Sequence, residues 1–142
     1  MIAIDTNLLI YAHRAAVPEH NAAKNAISKA CNSRGGCGVA TSCIAEFFSI
    51  VTHSTATGNP STPNQAAQFI TMLEEDGGLI IFNQGPRFSS RLLQTAIDLQ
   101  ISGVRIFDLQ IALCALDNGA TELWTHDHAF VKVPGLKIIN PL

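Results

Sequence analysis

Apolar residues along the chain fall into two patterns, short continuous runs and longer stretches with helical spacing. Met1 to Ile4 predicts a short buried strand. The polar break at Asp5, Thr6 and Asn7 predicts a turn into a helix carrying Leu8, Leu9, Ile10 and Tyr11. Pro18 suits the start of a second helix through Ala22, Ala23, Ala26 and Ile27, ended near Arg34-Gly35-Gly36. Gly38 to Thr41 predicts another strand, with Thr41 or Ser42 capping a third helix that holds Ile44, Phe47, Phe48 and Val51. A loop rich in Ser, Thr, Gly and Pro follows from His53 to Pro63. Thr62-Pro63 pairs a cap with a first-turn proline and opens a helix to Asp76, stopped by Gly77-Gly78, and Leu79 to Phe82 is the next strand. Leu92, Leu93, Ala96, Ile97 and Leu99 mark a one-faced helix from Phe88 to Ile101, ended by Gly103. A last helix is expected from Asp108 through Ile111, Ala112, Ala115 and Leu116 to an Asn118-Gly119 stop. Glu122 to Thr125 and Lys137 to Ile139 finish as strands. Strands alternating with helices predict an α/β fold, a central and mainly parallel sheet flanked by helices, as one domain over residues 1–142.

Composition sharpens the search for chemistry. Of the 142 residues 47% are hydrophobic and only 14% charged, against about 25% charged in an average domain, so each acid stands on a thin background. The net charge of -2 gives no broad basic surface, and a nucleic-acid role must therefore be local. A carboxylate cluster filled by a divalent cation supplies such a local positive charge. No run has membrane-spanning length, and Asp5 interrupts the apolar opening too early for a signal peptide, so a cytoplasmic protein is expected. The cysteines Cys31, Cys37, Cys43 and Cys114 show no C-x-x-C pairing and are read as small core residues, a Cys31–Cys37 bridge being the alternative.

Ligands of open α/β sheets collect beyond the carboxyl ends of the strands. Asp5 follows the first strand, Asp127 follows Trp124-Thr125, Asp108 stands at a helix start, and Glu46 lies early in the third helix beside Ile44, Phe47 and Phe48. Four converging acids without basic partners repel one another, and a hard, oxygen-seeking cation relieves that repulsion, which points to Mg²⁺ or Mn²⁺. Each acid also has an ordinary use. Asp5 and Asp108 could cap helices, Asp127 could sit in a turn, and Glu46 could pair with Arg87 or Arg91 or point to solvent.

The ordered segments around these acids resemble the PIN-domain family, and especially its VapC-type toxins. Ile4-Asp5-Thr6-Asn7-Leu8-Leu9-Ile10-Tyr11-Ala12 resembles the first acidic motif and Thr41-Ser42-Cys43-Ile44-Ala45-Glu46-Phe47 the glutamate-bearing helix. Asp108 with Ile111-Ala112 and Asn118-Gly119-Ala120 resembles the third motif. Trp124-Thr125-His126-Asp127-His128-Ala129-Phe130 resembles the fourth. The chain departs from the pattern at Gln110, where a basic residue is often found, and at His128-Ala129, which replaces a more charged pair.

The resemblance implies an endoribonuclease that uses Mg²⁺, with Mn²⁺ as substitute, and is the toxin of a toxin–antitoxin pair. It implies Asp5 and Asp108 as direct ligands and Glu46 and Asp127 as ligands or groups reached through water. Thr6 and Asn7 would fix the Asp5 carboxylate, and Thr125 would orient a neighbouring acid or a water. The expected partners are RNA, a cognate antitoxin protein and a second copy of the chain as a homodimer. Two rivals come from other classes. A phosphatase of the haloacid-dehalogenase type needs a second Asp two positions after the first, where this chain has Asn7. A catalytically inactive RNA- or protein-binding module would not need all four acids.

Overall fold

The computed structural model describes residues 1–142. It runs β1 (Ile2–Ile4), α1 (Thr6–His13), α2 (His20–Cys31), β2 (Cys37–Ala40), α3 (Thr41–Thr52), α4 (Pro63–Glu75), β3 (Ile80–Phe82), α5 (Phe88–Asp98), α6 (Arg105–Asp117), β4 (Glu122–Trp124) and β5 (Lys137–Ile139). All four strand pairings are parallel, in the order β3-β2-β1-β4-β5. The strands are too short and apolar to alternate faces against solvent, so helices must cover both sides of the sheet. Ile4, Val39 and Leu123, one from each central strand, are fully buried.

The strand order creates a crevice. The chain adds β2 and β3 on one side of β1, then returns to lay β4 and β5 on the other. Connections leaving β1 and β4 therefore diverge, and ligands of such sheets gather where they part. Two backbone bonds hold this edge: Asp5 N donates to Trp124 O at 3.0 Å, and Thr125 N donates to Ile139 O at 2.9 Å.

Several element ends depart from expectation. Thr62 and Gln65 form the predicted cap of α4 reciprocally, each side chain accepting from the other's backbone N–H. Neither Thr41 nor Ser42 caps α3, because Ala40 holds the cap position and the Thr41 hydroxyl donates instead to Phe82 O at 3.2 Å. The α5 helix stops at Asp98, short of Ile101, where Gln100 turns left-handed at φ 54°. The α6 helix begins at Arg105, three residues before the expected start, and Gly119 at φ 80° follows its end.

Cys43 and Cys114 are buried free thiols, as expected. Cys31 and Cys37 are instead joined as a disulfide with Cα atoms 4.8 Å apart. A tight turn from the end of α2 into β2, in which Gly36 N donates to Ser33 O at 2.9 Å, brings the two residues together.

Candidate metal-binding active site

Asp5 is the N-cap of α1 and the last residue before the crevice. Its carboxylate is buried, yet both oxygens are used: Oδ1 accepts from Thr6 N at 2.7 Å, and Oδ2 accepts from Asn7 Nδ2 at 2.8 Å and Thr125 Oγ1 at 2.6 Å. Burial outweighs these bonds and, with the charges of Glu46 and Asp108, pushes its pKa up to about 6. Capping α1 therefore does not exclude Asp5 from a site at the crevice.

Thr125 binds the two ends of the crevice to each other. Its hydroxyl donates to Asp5, and accepts from Asn7 Nδ2 at 2.9 Å and from the backbone N–H of Asp127 at 2.9 Å. Asn7 completes the tie, its Oδ1 accepting from His126 N at 3.1 Å. The bent segment carrying Asp127 is therefore set by two of the polar residues that orient Asp5, Thr125 and Asn7. Asp127 is exposed, and its Oδ1 accepts from Ala129 N at 2.8 Å.

Glu46 projects from the second turn of α3 at the rim. It is exposed rather than buried among its apolar neighbours, because helical phase turns Cys43, Phe47 and Val51 inward. Its Oε2 accepts from Thr6 Oγ1 at 2.7 Å, and Arg91 is committed elsewhere, to Asp117. The ordinary reading of Glu46 as an Arg91 partner is therefore wrong. Asp108 lies within α6, one turn from its start, and caps nothing. Its pKa is raised by burial first, then by Asp127 and Glu46, against the partial offset of Arg105.

The charges of these residues are therefore linked across the crevice: Asp5 feels Glu46 and Asp108, and Asp108 feels Asp127 and Glu46. None of the four has an ion-pair partner, since the single salt bridge of the chain joins Arg91 to Asp117. An all-oxygen donor set with uncompensated negative charge fits a hard divalent cation. No three or more His, Cys, Asp and Glu side chains close into a compact cluster able to hold an ion.

The nearby thiol is inert. Burial, then the charge of Asp5, pushes Cys43 up to about 12, which removes it as a nucleophile. Beside Glu46 the surface is hollowed into two adjoining depressions of about 410 and 500 Å³ that share Ser42, Ala45 and Gln110. Gln110, the departure from the family pattern, therefore lines the approach to the site. A separate apolar groove of about 270 Å³, between α2 and α4, lies away from the acids.

Two residues escaped the sequence reading. Arg105 was missed because exposed Val104 and Phe107 break the apolar periodicity that would have signalled an earlier start to α6. Tyr11 belongs to an apolar run and to the first acidic motif, and neither gives it a role of its own. Its position four residues after Asn7, hence on the same helix face, was the available signal.

A model of the PIN domain matches residues 2–136. Over its full length the chain is 30% identical to a VapC ribonuclease of Mycobacterium bovis, of which it spans 96%, and equally to ribonuclease VapC43 of Mycobacterium tuberculosis. Two solved structures share the fold. Mycobacterium tuberculosis VapC20, described as a Sarcin-Ricin loop cleaving toxin, matches with a TM-score of 0.68 at 10% identity over 92% of both chains. VapBC2 of Rickettsia felis, bound to a DNA fragment from its promoter, matches with a TM-score of 0.65 at 21% identity over 99% of this chain and 98% of that one. With a strand order that opens a crevice at β1 and β4, an acid on each side of it, and a family match along nearly its whole length, the chain belongs to the PIN-domain family.

Proposed function

We propose that the chain is a metal-dependent endoribonuclease, the toxin of a VapBC-type pair, with Asp5, Glu46, Asp108 and Asp127 as its catalytic acids. One observation carries this: four electrostatically linked carboxylates, none of them in an ion pair, at the crevice of a parallel sheet. Asp5 and Asp108 are the direct ligands of Mg²⁺ or Mn²⁺, and Glu46 and Asp127 act as ligands or through water. Such a cation, when bound, makes water a competent nucleophile near neutral pH and offsets charge developing on the phosphate.

The chain's own residues prepare that chemistry. Asn7, Thr6 and Thr125 hold the Asp5 carboxylate in one orientation before any ligand arrives. Thr6 also fixes Glu46, and Thr125 fixes the backbone at Asp127, so three of the four acids share one hydrogen-bonded frame. The same Asn7 argues against the phosphatase rival. It stands where a second acid is required and serves as a donor to Asp5.

The partners follow from charge and surface. An antitoxin segment placing an Arg over the acidic crevice would replace the cation's charge. Leu93, Ile97, Val104 and Phe107, all more than half exposed on α5 and the start of α6, offer an apolar face for a homodimer. No helix is long and apolar enough to cross a membrane, in keeping with a cytoplasmic site of action.

The deciding experiment incubates protein freed of antitoxin with total RNA, with Mn²⁺ and with chelator. Cleavage that requires the metal is expected. Cleavage untouched by chelator, contaminating nuclease being excluded, refutes the mechanism.

A further inference from the structure

The chain's single tyrosine and two of its five histidines meet at one edge of the acid crevice. The Tyr11 and His126 rings lie edge to face with centroids 5.9 Å apart and planes at 80°. His126 and His128 follow at 5.8 Å and 52°. The edge-to-face contact takes up one ring face within the Tyr11–His126 pair, while the outer ring, His128, meets its neighbour at a tilt and is not stacked face to face on it. Tyr11 and His126 are half-buried, and His128 is exposed.

The strip is held in place and it abuts the acids. His126 is fixed through its backbone by Asn7, and its Nδ1 lies 3.2 Å from Asn140 Oδ1 in the C-terminal segment. Asn140 is itself held, since its Oδ1 also accepts from Leu142 N at 3.1 Å. Burial raises the Tyr11 pKa, and the charges of Glu19, Asp5 and Asp127 add to the shift, so Tyr11 stands within electrostatic reach of two of the acids. His126 and His128 flank Asp127 directly in sequence. A cation on the acids would grip a phosphate, and the base of an adjoining nucleotide needs a flat, apolar surface close by. Little else near the acids supplies one, apart from exposed Phe107 beside Glu46.

We propose that Tyr11, His126 and His128 form a stacking ledge for an unpaired nucleobase next to the cleaved phosphate, which selects single-stranded over duplex RNA. The ledge rests on the ribonuclease reading of the acid site and deepens it. Bases in a duplex are covered by their neighbours, so only a base splayed out of a helix presents a face to such rings. Stacking tolerates any base, because every base has a π-face, so the ledge sets strandedness rather than sequence. His128 is the outer element and His126 the fixed one.

The test compares the parent with His128→Ala, the double variant His126→Ala/His128→Ala and the double variant His126→Phe/His128→Phe. Each is assayed in Mn²⁺ for cleavage of a short unstructured oligoribonucleotide and of its duplex, and in Ca²⁺ for binding of the same strands by fluorescence anisotropy. Loss of one stacked base corresponds to roughly a tenfold weakening. The double alanine variant is therefore expected to show about that rise in KM and Kd for the single strand, with kcat changed far less. The double phenylalanine variant restores the parent's values, and the Mn²⁺-induced melting shift is the same in all four proteins. His128→Ala, at an exposed position, gives the same direction of effect if the double variant fails to fold. Unchanged KM and Kd in the alanine variants overturn the ledge. So does a phenylalanine variant as impaired as the alanine one, because imidazole chemistry rather than ring area would then matter. If the parent binds the single strand but does not cleave it, the ribonuclease reading fails while the ledge is judged on Kd alone. If the parent binds no single-stranded RNA, the ledge is refuted.

Discussion

The metal-free protein should lose stability as the pH rises through Asp5's titration, and Asp5→Asn should abolish Asp5's share of that loss. Asp5 is only 6% exposed, and its folded pKa is about 6 against an ordinary 3.8. A raised carboxylate pKa means the folded state holds the proton more tightly than the unfolded one. The stabilisation is therefore fully present below pH 3.8 and lost as the pH passes about 6. The difference of about 2 units corresponds to about 3 kcal/mol, an appreciable share of a typical domain's 5–15 kcal/mol. Asp108, raised for the same reasons, adds a contribution of the same sign.

His13 works in the opposite direction, since burial lowers its pKa and its neutral form favours the fold as the pH rises. Subtracting variant from parent cancels it, because His13 is present in both. Urea unfolding of both proteins in chelator between pH 4 and 8 measures the difference. Asp5→Asn should be the less stable protein at pH 4, where it lacks the acid's hydrogen bonds, and should gain on the parent by about 3 kcal/mol by pH 7.5. Excess Mn²⁺ should favour the parent again, by roughly 2.7 kcal/mol at a hundredfold excess over its dissociation constant. A parent-minus-variant difference that stays flat across this range would mean that the Asp5 carboxylate is not held out of water, and the electrostatic account of the site would fail.

Asp108→Asn should eliminate RNA cleavage and the Mn²⁺ melting shift while leaving the chelated protein at least as stable, because Asp108 caps nothing and its charge is opposed by its neighbours. Retained cleavage with an unchanged metal shift would remove it from the site. Thr125→Val, at a position 1% exposed, deletes the donor to Asp5 and the acceptor for Asn7 and Asp127. It should cost about 1–3 kcal/mol in urea melts and about 10–100-fold in metal affinity or activity, and a silent substitution would refute the frame. Phe107→Glu, at a position 62% exposed, should convert a dimer to a monomer in light scattering without lowering the melting temperature. A parent that is already monomeric would dismiss the α5–α6 face as the interface.

Sequence patterning locates the strands and helices well because the central strands are buried on both faces and are nearly uninterrupted apolar runs. It failed where tertiary contacts overrode local signals. Thr41 is a good capping residue, yet Phe82 O on β3 takes its hydroxyl, a partner 41 residues away that no local window contains. Exposed Val104 and Phe107 hid the true start of α6, so Asp108 was placed at the helix end, where capping is the ordinary explanation. The Cys31–Cys37 pairing depended on how tightly the turn after α2 closes, which spacing alone leaves open.

The four acids stand out in the sequence as a set, but their spatial relations do not. Asp5 and Asp127 become neighbours only because β4 is laid beside β1 after two strands have gone to the other side, and that order is a property of the whole sheet. Once β1 and β4 pair, the polar residues that follow each strand have no freedom to ignore one another. Thr125 must satisfy its buried hydroxyl, Asp5 must satisfy a carboxylate out of water, and Asn7 can serve both. The frame around Asp5 therefore follows from burying polar strand ends in a parallel sheet. What that frame leaves uncompensated is net charge, because hydrogen bonds from neutral donors orient a carboxylate without neutralising it. Under the proposed reading a divalent cation would remove that deficit without displacing the donors, so the hydrogen bonds that make the fold tolerable would also prepare the acids for a metal.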